Sequence, residues 1–173
     1  MAHQFNKSKG TGREAEEAAE HYFIKRKIKY TDVRDDQYYR KIDIDYLTDM
    51  GTFEVKRNYH DAEYGRKGLF FWIELELDYK EKSGWWYFTE AEYLFFNSFN
   101  GNGIIIKNDS AFKDYVNHKI EFGDHAKYGE NRIDIIQDER FNRFIDVKCM
   151  RIYMDKIKET DVNITKLVKR KTK

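Results

Sequence analysis

One segment of the chain, Lys41 to Asn58, limits the possible folds more than any other. Apolar and polar residues alternate on both sides of its centre, which predicts two strands near residues 42–47 and 52–57. Between them, Asp49 to Thr52 supplies an Asp that can close its own turn and a Gly that tolerates positive φ. The segment therefore predicts a β-hairpin.

The side chains of this hairpin fall on two different faces. Because side chains alternate along a strand, Glu54 and Lys56 share one face while Phe53 and Val55 share the other, which is expected to enter a core. Folding the hairpin brings Asp45 roughly opposite Glu54 and Lys56. Carboxylate oxygens are the ligands that a hard divalent cation such as Mg²⁺ prefers. The hairpin therefore predicts a cation site next to an ammonium group.

Length and composition favour a single domain over residues 1–173. With 40% apolar residues, the chain can bury one core. The polar residues 1–11 are expected to form a flexible N-terminal arm, and residues 160–173 a basic C-terminal tail. The 32 Lys and Arg residues nearly cancel the 31 Asp and Glu residues, so affinity for nucleic acid must come from local patches.

Cysteine content and hydropathy indicate the compartment. Cys149 is the single cysteine, which excludes an intrachain disulfide and is typical of a reducing cytoplasm. No apolar stretch is long enough to cross a bilayer, and the N-terminus lacks the apolar segment of a signal peptide. We therefore expect a cytoplasmic protein without a membrane partner. The histidine and cysteine spacing excludes the common zinc sites, and the serine-hydrolase and P-loop motifs are missing.

Helical and strand-like patterns are interspersed along the chain. Thr11 is expected to cap a helix from Gly12 to about Lys29, and the capping box Thr89 to Glu92 is expected to open a helix that ends near Phe99. The other predicted elements are strands near 28–33, 69–77, 85–88, 104–107, 133–136 and 144–147, a loop at 58–67, and helices at 110–119 and 150–159. This mixture predicts an α/β fold with a mixed central sheet flanked by helices.

The hairpin resembles the core of the PD-(D/E)xK nucleases, the restriction-endonuclease-like superfamily. Asp45 on the first strand and Glu54-Val55-Lys56 on the second carry the resemblance. Upstream, Gly12 to Phe23 is similar to a helix of small nucleases and Holliday-junction-resolvase-like members, in which a glutamate approaches the metal site. Glu16 matches that glutamate. The proline of the family's name is missing here.

Later segments resemble small phage-type members of the same superfamily. Gly68 to Glu74 is similar to their aromatic strand bearing a glutamate, Gly84-Trp85 to their tryptophan strand, and Thr89 to Leu94 to their A-D-Y-L helix. The resemblance extends from Gly12 to Phe96, about half of the chain.

This resemblance implies a restriction-endonuclease-like core and a Mg²⁺-dependent deoxyribonuclease that hydrolyses phosphodiester bonds in DNA recombination, repair or phage DNA processing. Branched DNA is one candidate substrate. Asp45, Glu54 and the backbone carbonyl of Val55 would ligate one or two Mg²⁺ or Mn²⁺ ions. Lys56 would lie beside the reacting water, and Glu16 would complete the outer shell. The resemblance also implies DNA as the partner, a homodimer as one assembly, and the host cytoplasm if a virus encodes the chain.

Several alternatives stay open at the level of sequence. Asp43 shares the predicted strand with Asp45 and is interpreted as a flanking polar residue, and Glu74 as part of a solvated strand face. Asp134 with Asp146-Val147-Lys148 repeats the acidic pattern near the C-terminus, but it lacks the upstream helix. The alternative function is a non-catalytic DNA- or protein-binding module on a nuclease fold.

Overall fold

The computed structural model describes residues 3–58, 70–77, 82–98, 103–122, 133–140, 143–153, 162 and 164–168. Within these residues the chain has a mixed α/β fold. Its elements in chain order are α1 (His3–Arg26), β1 (Tyr30–Asp32), α2 (Gln37–Lys41), β2 (Tyr46–Thr48), β3 (Gly51–Asn58), β4 (Phe70–Leu77), β5 (Lys82–Ser83), a 3₁₀ turn (Trp85–Tyr87), β6 (Tyr93–Ser98), β7 (Gly103–Lys107), α3 (Ser110–Phe122), β8 (Ile133–Arg140), β9 (Arg143–Tyr153) and β10 (Ile164–Val168).

The strands form two sheets. The first sheet has the order β1-β2-β3-β6-β7-β10, and the second has the order β5-β4-β9-β8. Strands β3 and β6 run parallel, while the other described pairs are antiparallel, so the first sheet is mixed as the sequence predicted. One face of the first sheet packs against α1, and the other faces the second sheet and α3.

The helix α1 buries its apolar stripe against the first sheet. Phe23 is fully buried and meets Phe53 of β3 edge to face, with ring centroids 5.0 Å apart. This arrangement is the favoured one for aromatic pairs. The helix-side cluster consists of Ala15, Ala19, Tyr22, Phe23, Tyr46, Phe53, Val55, Phe95 and Ile105. The helical spacing of its first four members predicted this buried face.

The opposite face of the first sheet packs against β4. Phe71, Ile73 and Leu75 are buried, as the alternating pattern of this strand predicted. Phe71 stacks on Phe96 of β6 with ring centroids 4.3 Å apart. The sheet-side cluster consists of these residues together with Val33, Ile44, Trp85, Trp86, Ala91, Leu94, Ile104, Ile106, Phe112, Val116, Met150, Ile152 and Val162. The central strands of the first sheet are therefore covered on both faces.

The hairpin β2–β3 forms, but its first strand is shorter than predicted. The register pairs Tyr46 with Phe53, and β3 covers the predicted second strand. Residues 42–45 lie outside β2 because the chain has just left α2, a short helix that the sequence pattern missed. Asp36 caps the start of α2, and the helix closes at Ile42.

The helix predicted from the capping box Thr89 to Glu92 is wrong, because the chain continues into the central strand β6. The Thr89 hydroxyl does accept a hydrogen bond from the Ala91 N–H (3.4 Å). Leu94 to Phe96, however, are all buried, with neighbours on both sides of the sheet. Consecutive apolar residues suit a strand covered on both faces, whereas a surface helix needs a polar stripe.

The predicted strand at residues 85–88 is also wrong, since Trp85–Tyr87 form a 3₁₀ turn. The Gly84 N–H donates to the Leu75 carbonyl (2.8 Å). A Cβ at Gly84 would approach the Glu74 carbonyl oxygen to 2.2 Å. The backbone therefore lies directly against β4 at this glycine and turns away immediately after it.

The first residues differ from the expected flexible arm. The helix α1 begins at His3, so residues 3–11 are helical, and Thr11 lies inside the helix rather than capping it. Adding residues to an existing helix is far easier than starting one, and no proline interrupts this segment. None of the helices in the described ranges has the length and apolar character needed to cross a membrane.

The C-terminal part contains more strand than predicted. Met150 to Tyr153 belong to β9, which pairs with β4, because Met150 and Ile152 alternate into the sheet-side cluster. Residues 154–159 of the predicted helix and residues 59–67 of the predicted loop lie outside the described residues. Within the predicted basic tail, β10 pairs antiparallel with β7.

Candidate active site at the edge of β3

Asp45 is held in place by three hydrogen bonds. Its N–H donates to the Phe53 carbonyl and its own carbonyl accepts from the Val33 N–H, both at 2.9 Å. Its side-chain Oδ2 accepts from the Val55 N–H at 2.8 Å. Because β2 begins only at Tyr46, the edge of β3 next to Val55 is open to this side chain. The carboxylate thus takes the position that a further β2 residue would otherwise occupy.

Glu54 and Lys56 lie on the face of β3 that points away from α1. Glu54 is only 3% exposed, and its Oε1 forms an ion pair with the Lys56 ammonium. Among the described residues, its Oε2 is buried without a hydrogen-bond partner. The Lys56 Nζ lies 5.1 Å from the ring centre of Trp85, a cation–π distance. Burying a carboxylate oxygen without a hydrogen-bond partner is costly, which makes this position a candidate for binding a ligand.

Asp43 belongs to the same group, although the sequence pattern predicted a flanking residue. Its Oδ2 lies 2.8 Å from the Lys56 Nζ. Asp43 is not in a strand: its φ is +53°, in the left-handed region that Asp and Asn tolerate better than most residues. The strand interpretation is therefore wrong at this residue, because Asp43 lies in the turn that follows α2.

Three carboxylates and one ammonium group thus share a small, largely buried volume. Burial raises the pKa of Asp45 to about 6, although Lys56 and the Val55 N–H both favour its charged form. Burial also raises the pKa of Glu54 well above its usual value. For Lys56, burial acts to lower the pKa, but the charges of Glu54 and Asp43 outweigh it and raise the pKa. Lys56 is therefore charged at neutral pH.

Glu16 lies near these groups, but its ion pair is with Arg34. Its negative charge reaches Asp45 and contributes to the raised pKa of that carboxyl. Arg34 also contacts Glu20 (3.2 Å), whose Oε1 accepts a hydrogen bond from the Tyr46 hydroxyl (2.9 Å). Arg34 and Glu20 together thus join α1 to Tyr46 of the hairpin, a role that no local sequence signal revealed.

The donor atoms at this edge fit a hard divalent cation in their chemistry. Asp45 and Glu54 supply carboxylates, and the Val55 carbonyl points to the same side of the strand as the N–H that meets Asp45. Within the described ranges, no three His, Cys, Asp or Glu side chains are arranged to hold a metal ion. The carboxylates of Asp43 and Glu54 are instead arranged around the Lys56 ammonium.

The backbone register separates the two aspartates of the second acidic pattern. In the hairpin β8–β9 the register pairs Asp134 with Cys149 and Asp146 with Gln137. The two aspartates therefore lie three residue positions apart, about 10 Å along the strand. Glu74, another candidate, is half-buried on β4 of the second sheet, next to a register shift.

Comparisons with known proteins add no further constraint: no family model, no curated protein and no solved structure matches the chain. The resemblance to PD-(D/E)xK nucleases therefore depends on the residues and contacts described above.

Proposed function

We propose that the protein is a metal-dependent endonuclease that hydrolyses phosphodiester bonds in DNA, built on a restriction-endonuclease-like core. The observation that supports this proposal most directly is the meeting of Asp45, Glu54 and Lys56 at one edge of β3. Buried carboxylates reduce stability unless they are paired, and groups with strongly shifted pKa values concentrate at functional sites. Among the described residues, the second buried oxygen of Glu54 has no hydrogen-bond partner, and a bound cation would offset the cost of burying it.

In this proposal Asp45, Glu54 and the Val55 carbonyl hold Mg²⁺ or Mn²⁺. When bound, such an ion lowers the pKa of a water molecule and neutralises charge on the phosphate. Asp45 is well suited to be a ligand because its hydrogen bond from Val55 fixes one oxygen and thereby orients the other. Glu54 can keep Oε1 on Lys56 while Oε2 faces the cation.

Lys56 acts as a fixed positive charge rather than as a base. Its raised pKa keeps it protonated at neutral pH, so it cannot accept a proton from water. A charged ammonium can instead donate hydrogen bonds to a phosphate oxygen and stabilise the charge that develops there. Glu16 acts on Asp45 through its charge, at a distance set by its ion pair with Arg34.

Access to the group is from the side of Lys56 and Asp43. Their side chains are 23% and 20% exposed, whereas Glu54 is almost completely buried. A phosphate can therefore approach the ammonium while the protein covers the ligand behind it. Branched DNA, a role in recombination, repair or phage DNA processing, and a homodimer with two such sites belong to this proposal through the resemblance alone.

The test is Mg²⁺-dependent cleavage of supercoiled plasmid and of four-way-junction DNA. Wild-type protein should cut at least one substrate, and Asp45→Asn and Lys56→Ala should each lower the rate by about 100-fold or more. Asp134→Asn, in the hairpin β8–β9, is the matched control and should cut at the wild-type rate. Circular dichroism confirms that each variant is folded. Wild-type rates in folded Asp45→Asn or Lys56→Ala would exclude this site.

The second candidate is a non-catalytic DNA- or protein-binding module, and one observation favours it. The Lys56 ammonium already satisfies part of the charge of Asp43 and Glu54, so the group can persist without a cation. Calorimetric titration with Mn²⁺ separates the two candidates. Heat of binding that disappears in Asp45→Asn favours the nuclease, and no uptake by the wild type favours the binding module.

A further inference from the structure

Lys56 has two acidic partners, and they differ in how they are held. Glu54 lies on the same strand, two residues away, and offers only Oε1. Asp43 comes from the turn after α2 and places its Oδ2 at 2.8 Å. An ammonium group carries three donors, so it can serve both carboxylates at once. The Lys56 charge is therefore shared between the two.

The turn that carries Asp43 is fixed by a different part of the chain. The Thr89 hydroxyl donates to the Asp43 carbonyl (3.3 Å), and the Glu90 N–H donates to the Ile42 carbonyl (2.9 Å). Apart from Lys27, Asp43 is the one non-glycine residue with positive φ among the described residues. A non-glycine residue in this conformation persists only where its surroundings impose it, and such residues cluster at functional sites.

Removing Asp43 would change what Lys56 pairs with. Two other carboxylates of the described residues interact with this lysine: Glu54 forms an ion pair with it, and Asp45 has its pKa lowered by the lysine charge. These two are the carboxylates that the proposed function assigns to the cation. A lysine without Asp43 would therefore turn toward them and compete with the cation.

We propose that Asp43 is a positioning residue: by pairing with Lys56, it leaves Asp45 and the second oxygen of Glu54 available to a divalent cation. The part of this inference that concerns the cation depends on the proposed function. The pairing of Asp43 with Lys56 does not. Asp43 itself does not bind the cation in this arrangement.

The first experiment is a calorimetric titration with Mn²⁺ of wild type, Asp43→Asn, Lys56→Met and the double variant. Asparagine suits this position because it tolerates positive φ, so the substitution removes charge and leaves the backbone unchanged. Asp43→Asn should weaken Mn²⁺ binding by about tenfold or more, the usual effect of losing a residue that orients ligands. In the Lys56→Met background the same change should have no effect, because no lysine remains to compete.

The four Mn²⁺ affinities distinguish a positioning role of Asp43 from a direct ligand and from no role at all. Equal weakening by Asp43→Asn in both backgrounds would make Asp43 a direct ligand, and unchanged affinity in the wild-type background would deny it any role; either overturns the proposal. Asp49→Asn, an exposed aspartate of the same hairpin, is the control and should bind Mn²⁺ like the wild type. Thermal unfolding of every variant identifies any loss of binding that comes from loss of fold.

The second experiment needs neither cation nor DNA. In metal-free protein labelled with ¹⁵N at the lysine side chains, the Lys56 ammonium should give a signal protected from solvent exchange. In Asp43→Asn that signal should shift, because the ammonium exchanges Asp43 for the other two carboxylates, and in Asp49→Asn it should keep its wild-type position. An unshifted signal in Asp43→Asn, or no protected signal in the wild type, would overturn the pairing. Failure of the proposed function would show differently, as wild-type protein that takes up no Mn²⁺ while the ammonium signal behaves as expected.

Discussion

The two faces of β3 carry opposite kinds of chemistry within four consecutive residues. Phe53 and Val55 enter the helix-side cluster, where Phe53 is fully buried between Phe23 and Tyr93. Glu54 and Lys56 point to the other side, where Glu54 is just as inaccessible to solvent. The same degree of burial therefore has opposite consequences, because it stabilises the aromatic face and destabilises the acidic one.

The aromatic face of β3 and its acidic face therefore have different roles: one stabilises the hairpin, and the other carries the charged groups of the candidate site. The aromatic face supplies the free energy that keeps β3 between β2 and β6. The acidic face uses part of that free energy to keep three carboxylates close together with one ammonium as counter-ion. Natural proteins break local rules in this way mainly at functional sites. The comparison predicts that removing a ring from the aromatic face lowers the free energy of unfolding, whereas removing the charge of a carboxylate from the acidic group raises it.

The largest expected effect is on the aromatic face. Phe53→Ala should lower the free energy of unfolding by about 3–5 kcal/mol, because it removes a fully buried ring that contacts Phe23 and Tyr93. Urea denaturation followed by circular dichroism measures the change. Met50→Ala, a half-exposed residue in the turn of the same hairpin, should change stability by less than about 0.5 kcal/mol. Equal losses in both variants would contradict the assignment of the two faces.

The next effect concerns the counter-ion. Lys56→Met should lower the free energy of unfolding by about 2–3 kcal/mol near pH 8, because Glu54 and Asp43 lose their partner in a mostly buried place. The folded pKa of Lys56 is raised above 10.5, so its contribution is fully present throughout the neutral range. The loss should shrink as pH falls through the raised pKa of Glu54, since the unpaired carboxylates then take up protons.

Lys107→Met is the control for that measurement, because Lys107 is exposed on β7. Its effect should be small and independent of pH. A pH-independent loss in Lys56→Met would mean that packing against Trp85, rather than charge, is what Lys56 contributes.

Features that depend on contacts between sequence neighbours could be predicted from the sequence. Features that depend on contacts between distant residues could not. The faces of β3 and β4 follow from local alternation, so Phe53, Glu54 and Phe71 were assigned correctly from pattern alone. The segment Leu94 to Phe96 was not, because its helical capping box is a local signal and its burial on both faces is a long-range fact. Tertiary packing overrides a local signal wherever the two conflict.

The site shows the same limit. Asp45, Glu54 and Lys56 could be proposed together because one hairpin carries all three. Asp43 was interpreted as a flanking strand residue because its true position depends on α2 and on a hydrogen bond from Thr89, more than forty residues away. Arg34 carries no local sequence signal for the same reason, since its partners Glu16 and Glu20 lie on α1.

The third prediction is that one substitution, Asp45→Asn, stabilises the protein, whereas most substitutions of buried residues destabilise it. The pKa of Asp45 is about 6 in the folded protein against a usual value of 3.8, so between these values the folded state binds more protons than the unfolded state. Stability from this group is therefore lost as pH rises through that interval. Asp45→Asn should raise the free energy of unfolding by about 1–2 kcal/mol near pH 7.5 and leave it unchanged below about pH 4.

Urea denaturation in the presence of a chelator measures this effect without interference from metal ions. The Asn side chain can still accept the Val55 N–H through its oxygen, so the hydrogen bond is kept. A variant less stable than the wild type at neutral pH would mean that Asp45 is an ordinary structural residue. In that case burial of the charged Asp45 carboxylate would not reduce stability, and the acidic face would not differ from the aromatic face in this respect.

The smallest expected effect is on the pKa of Asp45. It tests whether α1 influences the acidic group through the charge of Glu16, in addition to packing against the aromatic face. Glu16 and Glu20 both pair with Arg34, and the negative charge of Glu16 contributes to the raised pKa of Asp45. Glu16→Gln should therefore lower the pKa of Asp45 slightly and move the acid side of the cleavage-rate profile to lower pH by a few tenths of a unit. Glu20→Gln removes an equivalent charge from the same arginine and should leave the profile in place, because its hydrogen bond is to Tyr46 instead. Equal shifts in both variants would mean that the charge acts through Arg34, so α1 would influence the acidic face only through that ion pair.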